Sequence, residues 1–326
     1  MSRCGRPFQR FLRWPALLAL LIVAGAAHAE PFAYITNQGS HDVSVIDLAT
    51  QRVVATVPVG RSPAGVVASS AAGQVFISNP DSKTISVIDM REQRVIATLP
   101  AGEGPVGIDA SPDGKRLYAA DWYANQLLVF DTTTRAPFTA IPVGHAPAGV
   151  AVHADGKTVY VAERDDDAIA AIDVATARVR GRVQVGSHPF ALLFDAPRER
   201  LYALNVQSDD VSVIDTRTLS VIATVKVGKA PYGAALTSDG HLLYVTNQHD
   251  DSVSVIDASS LTVLRTLPGF GYPEGIAASG DKVYVVNWMD DNVSVLDAKT
   301  GTLKGTIPTG QNSRGFGVFI GSPPAR

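Results

Sequence analysis

The stretch Leu243-Tyr244-Val245-Thr246-Asn247-Gln248-His249-Asp250-Asp251-Ser252-Val253-Ser254-Val255-Ile256-Asp257 decides the fold. Two short runs of Val, Ile and Tyr flank a polar cluster, which is the pattern of two strands joined by a turn. Two further runs follow, Val263-Leu264-Arg265-Thr266 and Gly275-Ile276-Ala277-Ala278. Turn residues separate them, Asp257 to Ser260 and then Pro268 to Pro273. The unit therefore holds four strands. No apolar period of 3.6 is sustained anywhere after residue 30, so helix content is expected to be near zero.

Working outward, the unit recurs. The aromatic that opens it stands at Tyr34, Phe76, Tyr118, Tyr160, Tyr202, Tyr244 and Tyr284, with steps of 42 residues and a last step of 40. Asp47, Asp89, Asp131, Asp173, Asp215, Asp257 and Asp297 keep the same beat. So do Pro63, Pro105, Pro147, Pro189, Pro231 and Pro273. Tight links such as Ser111-Pro112-Asp113-Gly114 and Ser238-Asp239-Gly240 join successive strands. A four-stranded unit of about 40–45 residues is the period of a propeller blade. A lone unit of this kind cannot bury both faces, so the blades must stack and the ring must close.

The chain ends indicate how it closes. Residues 32–57 supply three strands with no inner strand before them, and Gly317-Val318-Phe319-Ile320 is an inner strand with nothing after it. The expected fold is an all-β, seven-bladed propeller over residues 30–326, closed by three N-terminal strands plus one C-terminal strand.

Tyr244-Val245-Thr246-Asn247, with Val253-Ser254-Val255-Ile256-Asp257 and Val227-Gly228-x-x-Pro231, resembles the YVTN-repeat, YncE-like β-propeller family. Ile77-Ser78-Asn79, Ala119-Ala120-Asp121 and Val161-Ala162-Glu163 are variants of the signature, so the resemblance spans nearly the whole of residues 30–326. It implies periplasmic or surface propellers, some beside redox enzymes that use quinone cofactors. It also implies relatives that bind DNA and related propellers that act as lactonases. The motif is specific for fold and says little about function.

The segment before residue 30 reads as a targeting signal. Arg3, Arg6, Arg10 and Arg13 precede the apolar run Ala16 to Ala27, and Ala27-His28-Ala29 supplies a small-x-small pattern. A signal peptide over residues 1–29, cut after Ala29, makes the protein periplasmic or secreted, with no membrane span remaining. The run is shorter than the roughly 20 apolar residues that a membrane span needs. Cleavage removes Cys4, the only cysteine, so the mature chain has no disulfide or cysteine-ligated metal. It also removes four arginines and no acids, moving the formal charge from −3 to −7. That balance disfavours general nucleic-acid binding. Hydrophobic residues at 46% and charged residues at 18% describe a globular chain with ample core.

Alternate loops share a face. The loops like Asn247–Asp251 and Pro268–Pro273 form the top, where the repeats diverge and where binding is expected to reside. Variable positions leading into the inner strands ring the channel mouth: Arg61, Glu103, His145, His188, Lys229, Tyr272 with Glu274, and Arg314. Tyr232, Trp122 and Trp288 add aromatics on the same face, with Phe190, Phe316 and Tyr123 nearby. A basic mouth with aromatic rings suits a small anion or a quinone-like or sugar-like ligand. His145 and His188, with Glu103, offer imidazole and carboxylate groups of the kind that hold transition metals, but no His-x-x-x-His spacing supports them, and no cofactor is expected. Asp165-Asp166-Asp167, Asp209-Asp210, Asp250-Asp251 and Asp290-Asp291 recur at one place in the repeat and read as caps of their own hairpins rather than calcium ligands.

The function expected is a non-catalytic periplasmic binding or interaction protein acting through its top face and channel mouth, and accessory to a periplasmic oxidative pathway. Its partner is a small anionic, quinone-like or sugar-like ligand, or a periplasmic protein. The alternatives are a lactonase-like or lyase-like enzyme, with His145 or Glu274 as base beside Arg61 or Arg314, and a single-stranded DNA binder. No Gly-x-Ser-x-Gly, phosphate loop or His-Glu-x-x-His occurs. A closed ring has no bare inner edge to drive pairing, so a monomer is expected.

Overall fold

The computed structural model describes residues 31–324, together with Met1, Ser2 and Gly5. The leader expected over residues 1–29 and its cut after Ala29 otherwise lie outside the described residues. Among the described residues no helix is long and apolar enough to cross a membrane.

Seven antiparallel sheets stand in a ring. Blade 2 is typical, running from the channel outward as Gly65–Ser69, Gln74–Asn79, Thr84–Asp89 and Arg94–Pro100. The inner strands of blades 3 to 7 are Pro105–Ala110, Pro147–Val152, Pro189–Asp195, Pro231–Leu236 and Pro273–Ser279. Blade 1 takes Phe32–Asn37, Asp42–Asp47 and Arg52–Pro58 from the N-terminus. The expected strands of the sixth unit are found, widened at their ends to Leu242–Asn247, Ser252–Asp257, Thr262–Pro268 and Pro273–Ser279. The helical content among the described residues is four single 3₁₀ turns.

Each recurrent residue has a physical task. The opening aromatics Tyr34, Phe76, Tyr118, Tyr160, Tyr202, Tyr244 and Tyr284 are at most 2% exposed and rank among the largest fully buried side chains. Each stabilises the stacking of blades by roughly 1.5–3 kcal/mol. Thr246 of the signature donates through Oγ1 to the Glu274 carbonyl of the next blade at 2.8 Å, and Ser78 does the same to Val106 at 2.6 Å. Asn247 donates to the hydroxyls of Ser252 and Ser254, both at 3.0 Å, binding its strand to the following one. The Asp that ends each third strand caps the turn behind it. Asp257 Oδ1 accepts from the Ser259 and Ser260 amides at 3.0 and 2.7 Å, and Asp47 does so from Ala49 and Thr50.

The glycine two residues after five of the six repeat prolines, with Ala191 after Pro189, lets the inner strands meet around a narrow axis. A Cβ on Gly107 would lie 1.9 Å from the Ala148 carbonyl oxygen, and one on Gly65 would lie 2.2 Å from that of Val106. No side chain fits there.

The ring closes as the chain ends indicate, with one refinement. The closing strand is split. Ser313–Arg314 and Ile320–Gly321 pair with Phe32–Asn37 of blade 1, and the Tyr34 amide donates to the Phe319 carbonyl at 2.8 Å. Between them, Phe316–Val318 swings across the channel and pairs in parallel with Gly65–Val67 of blade 2. Gly317 permits the excursion: its φ is +120°, and a Cβ there would sit 2.4 Å from the Val66 oxygen. One strand thus fastens two blades.

Candidate functional site

The residue after each repeat proline points to the top of the channel, and the seven units fill that position unequally. Ala64, Val106 and Ala148 leave one arc bare, while Phe190, Tyr232, Glu274 and Arg314 crowd the other. Arg314 comes from the closing strand. Its Nε donates to Glu274 Oε2 at 2.5 Å, and its Nη2 donates to Glu274 Oε1 at 3.3 Å and to the Tyr232 hydroxyl. Gln248 Nε2 completes the carboxylate's shell at 2.8 Å. Glu274 is 3% exposed and Tyr232 6%.

Burial pushes the Glu274 carboxyl up, with Arg314 opposing, and pushes the Tyr232 phenol up so that it keeps its proton. Burial works against the Arg314 charge, but Glu274 and then Tyr232 carry it above its ordinary value. The three form one buried, charge-compensated group. The Tyr232 hydroxyl accepts from Arg314, and its own proton has no acceptor among the described residues.

Aromatic rings close the top of the channel. Phe190 lies 4.7 Å from Tyr232 and 4.8 Å from Phe316, centroid to centroid. Trp122 of blade 3 lies within 6.2 Å of Phe190, and the Arg164 guanidinium lies 5.4 Å above its ring. The mouth expected to hold a ligand is filled by offset rings.

The other expected ring residues do not join this group. Arg61 donates to the Asp81 carbonyl, and Glu103 pairs with Lys83 at the surface. His145 is exposed and held by Asp166 at 2.8 Å, a bond that raises its imidazole. Lys229 stands 3.9 Å from Asp250. His188 Nε2 is 4.0 Å from Asp165, so the two histidines face different carboxylates of one loop. Among the described residues no cluster of three His, Cys, Asp or Glu side chains is arranged to hold a metal. Tyr272 and Trp288 make a separate pair 5.5 Å apart, with His249 on the Tyr272 hydroxyl at 3.2 Å and Gln38 accepting from the Trp288 indole.

The acidic pairs also do something other than expected. They cap neighbouring loops rather than their own hairpins. Asp250 accepts from the Lys229 amide at 2.7 Å, on the loop entering its blade, and Asp251 from the Tyr272 amide at 3.0 Å, on the loop leaving it. Asp166, Asp167, Asp209 and Asp291 act alike. These loops pass through left-handed residues such as His188 and Tyr272, with φ 53° and 54°, whose amides turn away from any strand partner. A nearby carboxylate is what satisfies them.

Beneath the aromatic stopper lies a cavity of about 210 Å³. Gly107, Ile108, Val150, Ala151, Leu192, Leu193, Ala234, Ile276 and Val318 make its walls apolar, and Tyr232, Glu274 and Phe316 form its upper boundary. Along the inner strand Pro273–Ser279 the first four residues are buried and the last three half-buried, and Val318 is 53% exposed, so the cavity opens towards the bottom face.

Its polar wall group is Asp109, which the sequence reading overlooked. Asp109 Oδ1 accepts from the Ala110 amide and Oδ2 from the Val152 amide, both at 2.8 Å. Burial lifts its carboxyl to about 6, against the pull of those two amides. The signal was present as a break in the repeat: the equivalent residues are Val67, Ala151, Leu193, Ala235, Ala277 and Gly317. Gln248 was overlooked too, because its loop position carries no recurrent residue type.

Residues 68–155 match the model of the YNCE-like beta-propeller family. Over that stretch the chain is similar to the YncE-like propellers, and its fold is a seven-bladed β-propeller. Within the same propeller, residues 132–218 also match the model of the lactonase seven-bladed beta-propellers. None of the curated proteins matches the chain. Several solved structures resemble this propeller. Hydrazine synthase of Kuenenia stuttgartiensis is 20% identical with a TM-score of 0.73, over 84% of this chain and 97% of that one. A functionally unknown protein from Desulfotomaculum acetoxidans DSM 771 is 14% identical with a TM-score of 0.75, over 90% and 99%. The dihydro-heme d1 dehydrogenase NirN, in complex with DHE, is 14% identical with a TM-score of 0.68, over 91% and 76%. Likenesses at these identities carry the fold alone.

Proposed function

We propose that this protein is a non-catalytic, periplasmic small-molecule-binding propeller whose ligand occupies the channel cavity. The observation that carries the reading is the cavity of about 210 Å³, apolar on its walls and capped by the protonated Tyr232. Concave apolar sites with a few placed polar groups are where small ligands bind. The ligand class that fits is apolar and carries a carbonyl oxygen, as a quinone does: the Tyr232 proton has no acceptor of its own among the described residues. A role beside an oxidative pathway is in keeping with the fold shared with hydrazine synthase and the dihydro-heme d1 dehydrogenase.

Titrating the protein with a soluble 1,4-naphthoquinone, followed by calorimetry, tests this. Saturable binding is expected, and Ala234→Phe, which fills the cavity from its wall, abolishes it while the fold persists. Binding that survives Ala234→Phe unchanged overturns the reading. A lactonase-like activity is the second reading, favoured by the family match over residues 132–218. Its base is Glu274, but both carboxylate oxygens are already engaged by Arg314 and Gln248. Turnover of δ-valerolactone that vanishes in Glu274→Gln replaces the first reading with this one.

A further inference from the structure

The cavity wall carries one charge with no counter-charge. The amides of Ala110 and Val152 satisfy hydrogen bonds of the Asp109 carboxylate, but Asp109 makes no ion pair among the described residues. The flanking inner strands, Gly65–Ser69 and Pro147–Val152, contain no ionisable side chain. Tyr118 lies opposite on the paired strand, its phenol pushed up to about 12 by burial and so neutral. The Arg314–Glu274 pair above is already balanced. Asp109 is half-buried on the cavity wall, and a charge drawn partly out of water is costly unless something compensates it. The fold does not ask for an acid here, because the six equivalent positions are all uncharged.

We propose that Asp109 anchors a compact cationic group, such as a primary ammonium, on the ligand of this cavity, an inference that rests on the cavity being the ligand site. The strand register adds a dimension. Tyr232 and Glu274 follow their prolines directly, while Asp109 comes three residues further along an inner strand of the same direction. At about 3.3 Å per residue the two levels are roughly 10 Å apart along the channel. The ligand is therefore elongated: a carbonyl end below Tyr232, an apolar middle, and an ammonium end on Asp109.

Calorimetry with two isosteric probes, 4-(2-aminoethyl)acetophenone and 4-propylacetophenone, tests this on the intact chain. The amine is expected to bind roughly 30-fold more tightly at about pH 7.5, the low end of what a buried charge pair is worth. At about pH 5 that advantage shrinks as Asp109 takes up its proton, since its carboxyl titrates at about 6. Asp109→Asn erases the advantage and leaves the propyl compound's affinity unchanged. Should Asp109→Asn fail to fold, the isostere and pH comparisons on the natural chain still decide. Equal binding of the two probes overturns the role of Asp109 while leaving the cavity reading intact. Binding of neither removes the cavity reading, and the role of Asp109 with it.

Discussion

The two arcs of the channel top are built on one repeat and carry opposite contents. Ala64, Val106 and Ala148 are small and apolar, whereas Phe190, Tyr232, Glu274 and Arg314 form a packed, charge-balanced group on the far side. The backbone is the same in both, since each position follows the repeat proline or, for Arg314, the serine that replaces it. What differs is only what the fold leaves free to vary. In a pseudo-symmetric ring, the residues that break the repeat mark what the molecule has built for itself, and those that keep it mark what closes the ring.

Breaking the crowded arc has the largest expected effect. Glu274→Ala strands the Arg314 guanidinium in a buried site and should cost about 3–5 kcal/mol in urea unfolding. The double variant Glu274→Ala with Arg314→Met removes both charges and should recover much of that loss. A double variant no better than the single one would show that the group stabilises by packing rather than by charge balance.

On the bare arc, space rather than charge is limiting. Gly107→Ala places a methyl 1.9 Å from the Ala148 oxygen and should destabilise by about 1–3 kcal/mol. Gly305, on an outer strand with nothing within 4 Å, is the contrast. There the same substitution should gain roughly 0.4–1 kcal/mol by restricting the unfolded chain. Equal effects at the two sites would mean that the inner strands can part.

The next effect is read from pH. Asp109 is lifted from 3.8 to about 6 by burial, so the folded state holds its proton more tightly than the unfolded one. Its contribution to stability is therefore complete below about pH 4 and lost as the pH rises through about 6. Comparing natural chain and Asp109→Asn by thermal melting should show the variant free of that loss. Asp215 and Asp297, both lowered to about 2 and first by bonds to Arg217 and to the Thr300 amide, act in the opposite direction at lower pH and are common to both proteins.

The smallest effect belongs to the exposed ring. His145 should titrate above 6.5 by NMR because Asp166 bonds its imidazolium, and Asp166→Asn should return it towards that value. Arg61→Ala and Lys229→Ala should leave melting unchanged, as surface substitutions usually do. A large loss from either would place it in the crowded group after all.

Much of the architecture was legible because it recurs. Tyr244, Asn247 and Asp257 perform tasks that recur from blade to blade, so periodicity exposes them. Of the expected ring residues, Tyr232, Glu274 and Arg314 do meet, and Trp122 joins them only through Phe190. Arg61, Glu103, His145, His188 and Lys229 share their face but not their company, because each is drawn to the nearest loop partner, an acceptor for the four basic residues and the Lys83 ammonium for Glu103. Position in the repeat gives the face and the radius. It does not give the rotamer.

By itself the sequence determined the number of blades, the order of strands within each, and the join of the two chain ends, since these follow from periodic short-range patterns that need no knowledge of distance. Only the tertiary structure decided that the mouth is stoppered by Phe190, Tyr232 and Phe316, that the closing strand crosses to blade 2, and that the free volume lies below with Asp109 on its wall. Those features depend on side chains from units far apart in sequence converging on one axis. Steric fit and the compensation of buried charge operate there across the ring, where no local pattern records them.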